Sequence, residues 1–308
     1  MESQYPNCAI GTMAWGKSVY GKIIQGNAVT EEQLKSTLDT AKKNSMLLID
    51  TAYKYGMGCA ERLIGKYADS DFIISTKFTP SNRYGTGEVS RKLDRDLQTL
   101  HRDYVDIYWL HLPIKIEQNI LEIADLVQQG KVKHVGVSNF NLEEIKKAQE
   151  ILSGCHISLY GVQNHYSLIS RDWEENGVLD WCKNNHVKFY AWSVMEQGAL
   201  SGKMHFNTFS IRGRLYNKKV KKMETLFKVM AETGDKYGLS IAQVSIAWAV
   251  SKGVIPICGC RKPYQVEELE KASKIHFTAA EICGLEGAAA SSGQHTAGDM
   301  FRKTLSIM

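Results

Sequence analysis

Short apolar segments recur along the chain, and six of them end on a polar or aromatic side chain. The segments read SMLLI, FIIST, DIYWL, HVGV, LYGV and VKFYA, and they close on Asp50, Lys77, His111, Ser138 with Asn139, Gln163 and Trp192. Most of them are followed by a stretch with the pattern of a helix. This repeat of strand, polar residue and helix is typical of a (β/α)8 barrel, in which the carboxyl ends of the strands form the active-site face.

The same pattern predicts eight strands. Their ranges are Ala9–Thr12, Ser45–Ile49, Phe72–Thr76, Val105–Leu110, Val132–Val137, Ser158–Val162, Val187–Ala191 and Val254–Ile257. Most are continuous apolar runs, which indicates strands buried on both faces of a parallel sheet. Helices are predicted at Thr30–Lys43, Ala60–Tyr67, Glu88–Leu100, Glu117–Gln129, Asn141–Leu152, Trp173–Asn184, Lys218–Lys236, Ile241–Ser251 and Tyr264–Lys274. A further helix over Ala279–Ala290 follows the repeat, so we expect one TIM barrel domain over residues 1–308 with an additional C-terminal helix.

Composition narrows the class of protein. Of 308 residues, 44% are hydrophobic and 23% charged, as in ordinary globular enzymes. The net charge of +5 is spread along the chain, which disfavours a nucleic-acid partner, and no segment approaches the roughly 18 apolar residues of a membrane span. Seven cysteines without a CxxC pair, and no signal peptide before them, favour the cytoplasm. Cys258 and Cys260 are poorly spaced as zinc ligands, and no metal site is predicted.

Four polar side chains near strand ends suit proton transfer. Asp50 and Tyr55 follow the second strand, and Lys77 and His111 close the third and fourth. A free tyrosine has a pKa of about 10, and a neighbouring ammonium lowers that pKa by stabilising the phenolate. Asp50 would hold the lysine charged, so that the phenol protonates a developing alkoxide near neutral pH. Each residue alone could be an ordinary strand-end polar group, and it is their joint occurrence that favours catalysis.

A series of motifs covers the chain from about Gly11 to Ala272. They are Asp50-Thr-Ala-x-x-Tyr55-Gly, Ser75-Thr-Lys77, Leu110-His111-Leu-Pro113, Gly130-Lys131-Val132, Gly136-Val-Ser138-Asn139-Phe140, Gln163-x-x-Tyr166-Ser167-Leu168, Gly198-Ala-Leu200-Ser-Gly202-Lys203 and Gly259-x-Arg261-Lys262-Pro263-x-Gln265. With these motifs, in this order, the chain resembles the aldo-keto reductases, the (β/α)8 family that reduces carbonyls with NADPH.

The resemblance implies a role for each matching residue. Asp50, Tyr55, Lys77 and His111 match the catalytic tetrad, with Tyr55 as the proton donor. Trp192 takes the place of the aromatic residue, usually tyrosine, that stacks on the nicotinamide ring. The cofactor-binding residues implied are Thr12, Met13, Asp50, Ser138, Asn139, Gln163, Trp192, Ser193, Gln197, Gly198, Leu200, Ser201, Lys203, Arg214, Gly259, Arg261, Gln265 and Glu268. Within this set, Ser138, Asn139 and Gln163 would bind the nicotinamide carboxamide, and the residues from Gly198 to Lys203 would wrap the pyrophosphate.

The choice of cofactor depends on two basic residues. Arg261 and Lys262 match the position at which the family binds the adenosine 2′-phosphate, and guanidinium pairs well with phosphate, so NADPH is expected rather than NADH. The alternative is a surface basic pair at a helix N-terminus. GxGxxG is absent, so the barrel loops must hold the cofactor. Val194, Met195 and Glu196 depart from the family pattern, in which Pro-Leu-Gly is common.

The expected reaction is reduction of an aldehyde or ketone by hydride transfer from NADPH, with Tyr55 supplying the proton. The substrate-pocket residues expected by position are Trp15, Phe78, Tyr84, Leu112 and Met195. They form an apolar and aromatic wall, which favours an apolar or aromatic carbonyl substrate. The alternative for Trp15 is that it packs at the bottom of the barrel.

Two functions of other classes remain open at this point. One is a cofactor-binding regulatory subunit with vestigial reductase activity, because some members of the family bind NADPH and act mainly as partners of channels. The other is a barrel lyase or isomerase in which Lys77 forms a Schiff base, which leaves the nicotinamide-loop motifs unexplained. The oligomeric state is not determined by any feature of the sequence, and the resemblance allows a monomer.

Overall fold

Eight parallel strands close into a barrel in the computed structural model, which describes residues 5–15, 29–203, 217–218 and 220–296. The strands are β1 (Ala9–Gly11), β2 (Leu48–Asp50), β3 (Ile73–Phe78), β4 (Val105–Leu110), β5 (Val132–Ser138), β6 (Leu159–His165), β7 (Lys188–Trp192) and β8 (Ile255–Gly259). Each pairs with its neighbours in chain order, and β8 pairs with β1. The predicted TIM barrel is therefore confirmed.

Helices follow the strands along the chain. They are α1 (Glu31–Lys43), α2 (Cys59–Tyr67), α3 (Glu88–Leu100), α4 (Ile116–Gln128), α5 (Leu142–Gly154), α6 (Asp172–Glu175), α7 (Val178–Asn184), α8 (Glu224–Tyr237), α9 (Ile241–Ser251), α10 (Pro263–Ser273) and α11 (Ala279–Ser291). The last of these is the additional C-terminal helix expected from the sequence. Among the described residues, no helix has the length and apolar character needed to cross a bilayer.

Two helices differ from their sequence prediction by more than two residues. The helix predicted over Trp173–Asn184 is divided into α6 and α7, because Gly177 adopts a left-handed backbone with φ of 78° that ends the helical path. The helix predicted over Lys218–Lys236 continues as α8 only from Glu224, after a turn at residues 222–223. Both differences lie outside the strands, so the barrel topology is unaffected.

A large indole fills the interior of the barrel and supports the site above it. Trp109 on β4 is fully buried and packs edge-on against Tyr190, with ring centroids 5.2 Å apart. Gly136 makes room for it, since a Cβ at that position would lie 2.2 Å from the indole. The indole nitrogen donates to Ser75 Oγ at 2.6 Å, and Ser75 in turn donates to Asp50 Oδ1 at 2.9 Å. Trp109 is thus the floor of a polar site at the carboxyl end of the strands.

Candidate active site

The carboxyl ends of β2, β3 and β4 bring the four predicted catalytic side chains to one end of the barrel. Asp50 is the last residue of β2, Lys77 lies near the end of β3, and His111 directly follows β4. Tyr55 lies in the loop after β2. Because parallel strands of a closed barrel end on the same face, residues far apart in sequence converge there.

Lys77 lies at the centre of this group. Its ammonium donates to Asp50 Oδ2 at 2.6 Å and to the Thr51 carbonyl at 2.8 Å, and it lies 5.1 Å from the centroid of the Tyr55 ring. Burial by itself lowers the pKa of Lys77, but the charges and hydrogen bonds of Asp50 and Tyr55 outweigh it, and the pKa is raised. Lys77 therefore stays cationic beside the phenol, and a cation in that place stabilises the phenolate.

Asp50 is held by three side-chain donors at once. Its Oδ1 atom accepts from the Ser75 hydroxyl at 2.9 Å and from the Gln163 amide at 3.0 Å, while Oδ2 accepts from Lys77. The carboxylate is 3% exposed, so its charge is compensated by these partners and hardly by water. This network fixes the position of the Lys77 ammonium relative to the loop that carries Tyr55.

His111 is a neutral imidazole in this setting. Burial lowers its pKa well below the usual range, and the positive charges of Lys77 and Lys54 lower the pKa further. Its Nδ1 atom lies 3.0 Å from the Thr79 hydroxyl. If that hydroxyl donates to Nδ1, the ring proton sits on Nε2, where it can be donated to a substrate oxygen.

The three residues predicted to bind the nicotinamide carboxamide lie together at the ends of β5 and β6. The Ser138 hydroxyl donates to the Gln163 carbonyl at 2.8 Å, and Asn139 Nδ2 donates to the His111 carbonyl at 3.0 Å. Asn139 has a positive φ of 63°, a backbone conformation that asparagine tolerates better than most residues. The Gln163 amide is already donating to Asp50, which leaves its Oε1 oxygen to accept from a ligand.

Trp192 rests on a buried pair of side chains that sequence reasoning missed. Its ring stacks on His165, with centroids 4.7 Å apart, and His165 Nε2 lies 2.8 Å from Glu196 Oε1. Glu196 also accepts from the hydroxyls of Ser167 at 2.6 Å and Thr296 at 3.1 Å. The replacement of the family's common glycine by Glu196 was the available signal, but only the fold places His165 beside it.

The segment after β7 has an unusual backbone. Ser193, Glu196 and Gln197 have positive φ angles of 60°, 48° and 53°, and Gly198 has one of 101°. Such conformations are sparsely populated by residues other than glycine, so the segment is held by its surroundings.

Among the other cofactor residues predicted here, Leu200 is fully buried, Ser201 is partly buried and Lys203 is exposed, while Arg214 lies outside the described residues.

Two further predicted cofactor residues follow β1. The Thr12 amide and hydroxyl both lie 3.0 Å from the Asp50 carbonyl, to which they donate, and Thr12 is fully buried. The next residue, Met13, is partly exposed. Thr12 therefore links β1 to β2 at the site, and of the two residues it is Met13 that has surface accessible to a ligand.

A basic pair of residues, Arg261 and Lys262, follows the end of β8. Gly259 is exposed, and Gln265 Oε1 accepts from the backbone amides of Arg261 at 2.8 Å and Lys262 at 3.1 Å. Glu268 is partly buried one turn further along α10, and burial raises its pKa. Within the described residues, neither Arg261 nor Lys262 has a carboxylate at ion-pair distance. Two uncompensated cations at a helix N-terminus fit a phosphate group.

The expected substrate wall is only partly accessible. Trp15, Phe78 and Leu112 are each 1% exposed, whereas Tyr84 and Met195 are partly exposed. The Trp15 indole donates to the carbonyl of Cys260 at 2.8 Å, just past the carboxyl end of β8. Trp15 therefore lies at the active-site end of the barrel, and the alternative place at the barrel bottom is wrong.

Comparison with known proteins identifies the family of the chain. A family model described as the aldo/keto reductase family matches residues 8–289. The chain belongs to the aldo/keto reductase family. The aldo-keto reductase YhdN of Bacillus subtilis is 28% identical to this family member over 293 residues, which cover 85% of this chain and 83% of YhdN.

Solved structures of aldo-keto reductases superpose on the same barrel. The thermostable aldo-keto reductase Tm1743, solved with the inhibitor epalrestat, matches with a TM-score of 0.74 at 26% identity and covers 94% of this chain and 97% of that one. An aldo-keto reductase from Klebsiella pneumoniae, solved with NADPH, matches with a TM-score of 0.72 at 23% identity and covers 92% and 90%. The fold of this aldo/keto reductase family member is therefore that of its relatives over nearly its whole length.

Two buried carboxylates lie behind β3 in this aldo/keto reductase family member. Glu61 on α2 is fully buried and accepts from the Thr76 hydroxyl at 2.8 Å, and Asp96 on α3 is 1% exposed and pairs with Arg95. Burial and then the charge of Asp96 raise the pKa of Glu61 to about 8, and burial raises that of Asp96 to about 6. At neutral pH, Glu61 is therefore largely protonated in the folded protein.

This protonated acid predicts a pH dependence of stability. Between its ordinary pKa of 4.5 and about 8, the folded chain holds a proton that the unfolded chain has lost. The free energy of unfolding should then fall as the pH rises through this window, by as much as about 1.4 kcal/mol per pH unit. Glu61→Gln keeps the bond from Thr76 and removes the ionisation, so it should flatten this fall and stabilise the protein at the upper end of the window.

Urea unfolding of both proteins from about pH 5 to pH 8 measures the effect. Glu232→Gln, at an exposed position on α8, is the control and should leave the wild-type slope unchanged. Equal slopes for wild type and Glu61→Gln would contradict the prediction.

Proposed function

We propose that this aldo/keto reductase reduces an aldehyde or ketone to an alcohol with NADPH, and that Tyr55 donates the proton. The observation that supports this most directly is the buried Lys77 ammonium, fixed 2.6 Å from Asp50 and 5.1 Å from the Tyr55 ring, beside an imidazole held neutral. A cation lowers the pKa of a neighbouring phenol, and a neutral imidazole can donate to a carbonyl oxygen. These are the two properties that reduction of a carbonyl requires of the protein.

Each residue of the tetrad then has one task. His111 Nε2 donates to the carbonyl oxygen and orients it, because Nδ1 is already engaged by Thr79. Tyr55 transfers its proton to that oxygen as negative charge develops there, and Lys77 stabilises the phenolate that remains. Asp50 keeps Lys77 charged and in place. Bound NADPH supplies the hydride.

Three groups of residues would hold the cofactor. Ser138, Asn139 and Gln163 present amide and hydroxyl groups beside His111, where a carboxamide can be bound. Trp192 offers a flat aromatic face, braced from behind by His165. Arg261 and Lys262 supply cations that lack a carboxylate partner in the described chain, and the Klebsiella pneumoniae relative was solved with NADPH. These features support NADPH over NADH.

The Schiff-base function is disfavoured by the same geometry. A lysine must lose a proton before its nitrogen can attack a carbonyl. The Lys77 ammonium instead donates to Asp50 and to the Thr51 carbonyl, and its pKa is raised. No feature of the described residues favours the regulatory-subunit function.

We also propose that residues 1–308 form one domain. The family match over residues 8–289 and the barrel closed between β1 and β8 support this.

A reducing compartment such as the cytoplasm fits the seven cysteines, all of which are unpaired thiols.

Oxidation of NADPH by the purified protein, followed by absorbance across a panel of aldehydes and ketones, tests the proposed function. Turnover that depends on both carbonyl and NADPH is expected. Tight NADPH binding without turnover of any carbonyl would contradict the reductase and favour the regulatory subunit. Absence of NADPH binding would contradict the cofactor assignment itself.

Arg261→Ala should selectively weaken the use of NADPH. A charge-assisted hydrogen bond contributes about 1.5–3 kcal/mol, so KM for NADPH should rise about 10- to 100-fold while KM for NADH stays unchanged. Steady-state kinetics with each cofactor measure this, and Lys262→Ala should have a smaller effect because an ammonium pairs with phosphate at one point only. An equal rise in KM for both cofactors would contradict a 2′-phosphate contact.

A further inference from the structure

The loops that follow β2, β3 and β4 carry positive charge and no carboxylate. They comprise residues 51–58, 79–87 and 111–115, and their charged side chains are Lys54, Arg83 and Lys115. Tyr55 and His111 lie in these same loops, and the charge of Lys54 acts on His111. The three groups of residues proposed to hold the cofactor lie at or just after the ends of β5, β6, β7 and β8, and they do not account for this charge.

Of these three loop cations, Lys54 is adjacent in sequence to a predicted catalytic residue. It directly precedes Tyr55, it is partly buried, and its charge is one of the causes that lower the pKa of His111. Within the part of the chain that the structure describes, no carboxylate lies at ion-pair distance from its ammonium. A partly desolvated charge without a counter-charge is unfavourable, and an anionic ligand would compensate it.

The surroundings of Lys54 reinforce the positive field. Burial lowers the pKa of Lys54, and the positive charge of Lys92, which lies 3.8 Å from the centroid of the Tyr84 ring, also lowers it. The acidic residues nearby are engaged elsewhere: Glu88 pairs with Arg91 at 2.7 Å, and Glu122 accepts from two backbone amides at the start of α3. A mouth lined by one sign of charge attracts ligands of the other sign and raises their rate of association.

We propose that Lys54 forms an anion subsite beside the catalytic tetrad, and that the preferred substrates are aldehydes or ketones bearing a carboxylate or phosphate close to the reacting carbonyl. The inference rests on the proposed reductase function and specifies its substrate class. The partly exposed Tyr84 and Met195 remain available to the apolar part of such a molecule. This substrate class, which bears an anionic group, differs from the apolar or aromatic carbonyl expected from the sequence.

Matched substrate pairs test this subsite. Each pair has one anionic and one neutral carbonyl: succinic semialdehyde with butanal, 2-carboxybenzaldehyde with benzaldehyde, and glyceraldehyde 3-phosphate with glyceraldehyde. The wild-type protein should show a higher kcat/KM for the anionic member, and Lys54→Met should lower the anionic-to-neutral ratio about 10- to 100-fold. Lys54→Arg should retain the ratio because it keeps the charge. A larger ratio for the phosphate pair than for the two carboxylate pairs identifies phosphate as the preferred group, and the reverse result identifies carboxylate.

The controls separate this inference from the function on which it rests. Lys147→Met, at an exposed lysine on α5, should leave every ratio at the wild-type value. If the anionic-to-neutral ratios of the wild-type protein are near one and Lys54→Met does not change them, the subsite is overturned. Tyr55-dependent reduction of the neutral carbonyls would still uphold the reductase. Loss of turnover by Lys54→Met in equal proportion for both members would also overturn the subsite. No NADPH-dependent reduction of any member would overturn the reductase and the subsite together.

Discussion

Replacing Tyr55 with phenylalanine should reduce turnover of carbonyl substrates by about 10²- to 10⁴-fold, the range typical of removing a general acid. The phenol is the group adjacent to the Lys77 cation, and phenylalanine keeps the ring while removing the proton that the reaction consumes. NADPH binding should be retained, because the proposed cofactor contacts involve other residues. Initial rates and fluorescence titration with NADPH on the same preparation measure the two effects separately.

Tyr53 offers a matched control in the same loop. Its ring lies under the guanidinium of Arg95 on α3, 3.4 Å from the ring centroid. Tyr53→Phe removes an equivalent hydroxyl and should leave turnover close to wild type. Full activity of Tyr55→Phe, or an equal loss in both variants, would refute the assignment of Tyr55 as proton donor.

Lys77→Met should both abolish turnover and destabilise the fold by about 3–5 kcal/mol, the cost of breaking a buried ion pair by removing one partner. Asp50 is 3% exposed and would keep only the Ser75 and Gln163 donors, which are neutral. Its charge would then be buried without compensation. Urea unfolding at neutral pH measures the free energy of unfolding, and initial rates measure the loss of turnover.

A second variant separates the two effects. Asp50→Asn combined with Lys77→Met removes both charges, so it should recover part of the lost stability without recovering turnover. Lys188→Met is the control, because Lys188 is a partly buried lysine on strand β7 with no carboxylate at ion-pair distance among the described residues. A Lys77→Met protein as stable as wild type would show that Asp50 and Lys77 are not an electrostatically coupled pair.

Three features of the structure were not predicted from the sequence pattern, and two of them depend on tertiary contacts. The helix break at Gly177 is a single backbone conformation inside an apolar periodicity that otherwise continues. His165 and Glu196 lie 31 positions apart in sequence, and their pairing behind Trp192 exists only because the end of β6 lies next to the segment after β7. The partial burial of Lys54, and its lack of a carboxylate at ion-pair distance within the described residues, likewise depend on how the chain folds around the barrel mouth.

The pattern of apolar and polar residues along the chain was enough to predict the order of eight strands, the barrel class and the polar residues that end the strands. This was possible because a parallel barrel requires continuous apolar runs at regular intervals, and because residues at the carboxyl ends of its strands necessarily share one face. The charge states of His111 and Glu61, and the surface that remains open to a substrate, follow from the tertiary structure. Both depend on burial and on distances between side chains that are remote in sequence, and no local pattern encodes those quantities.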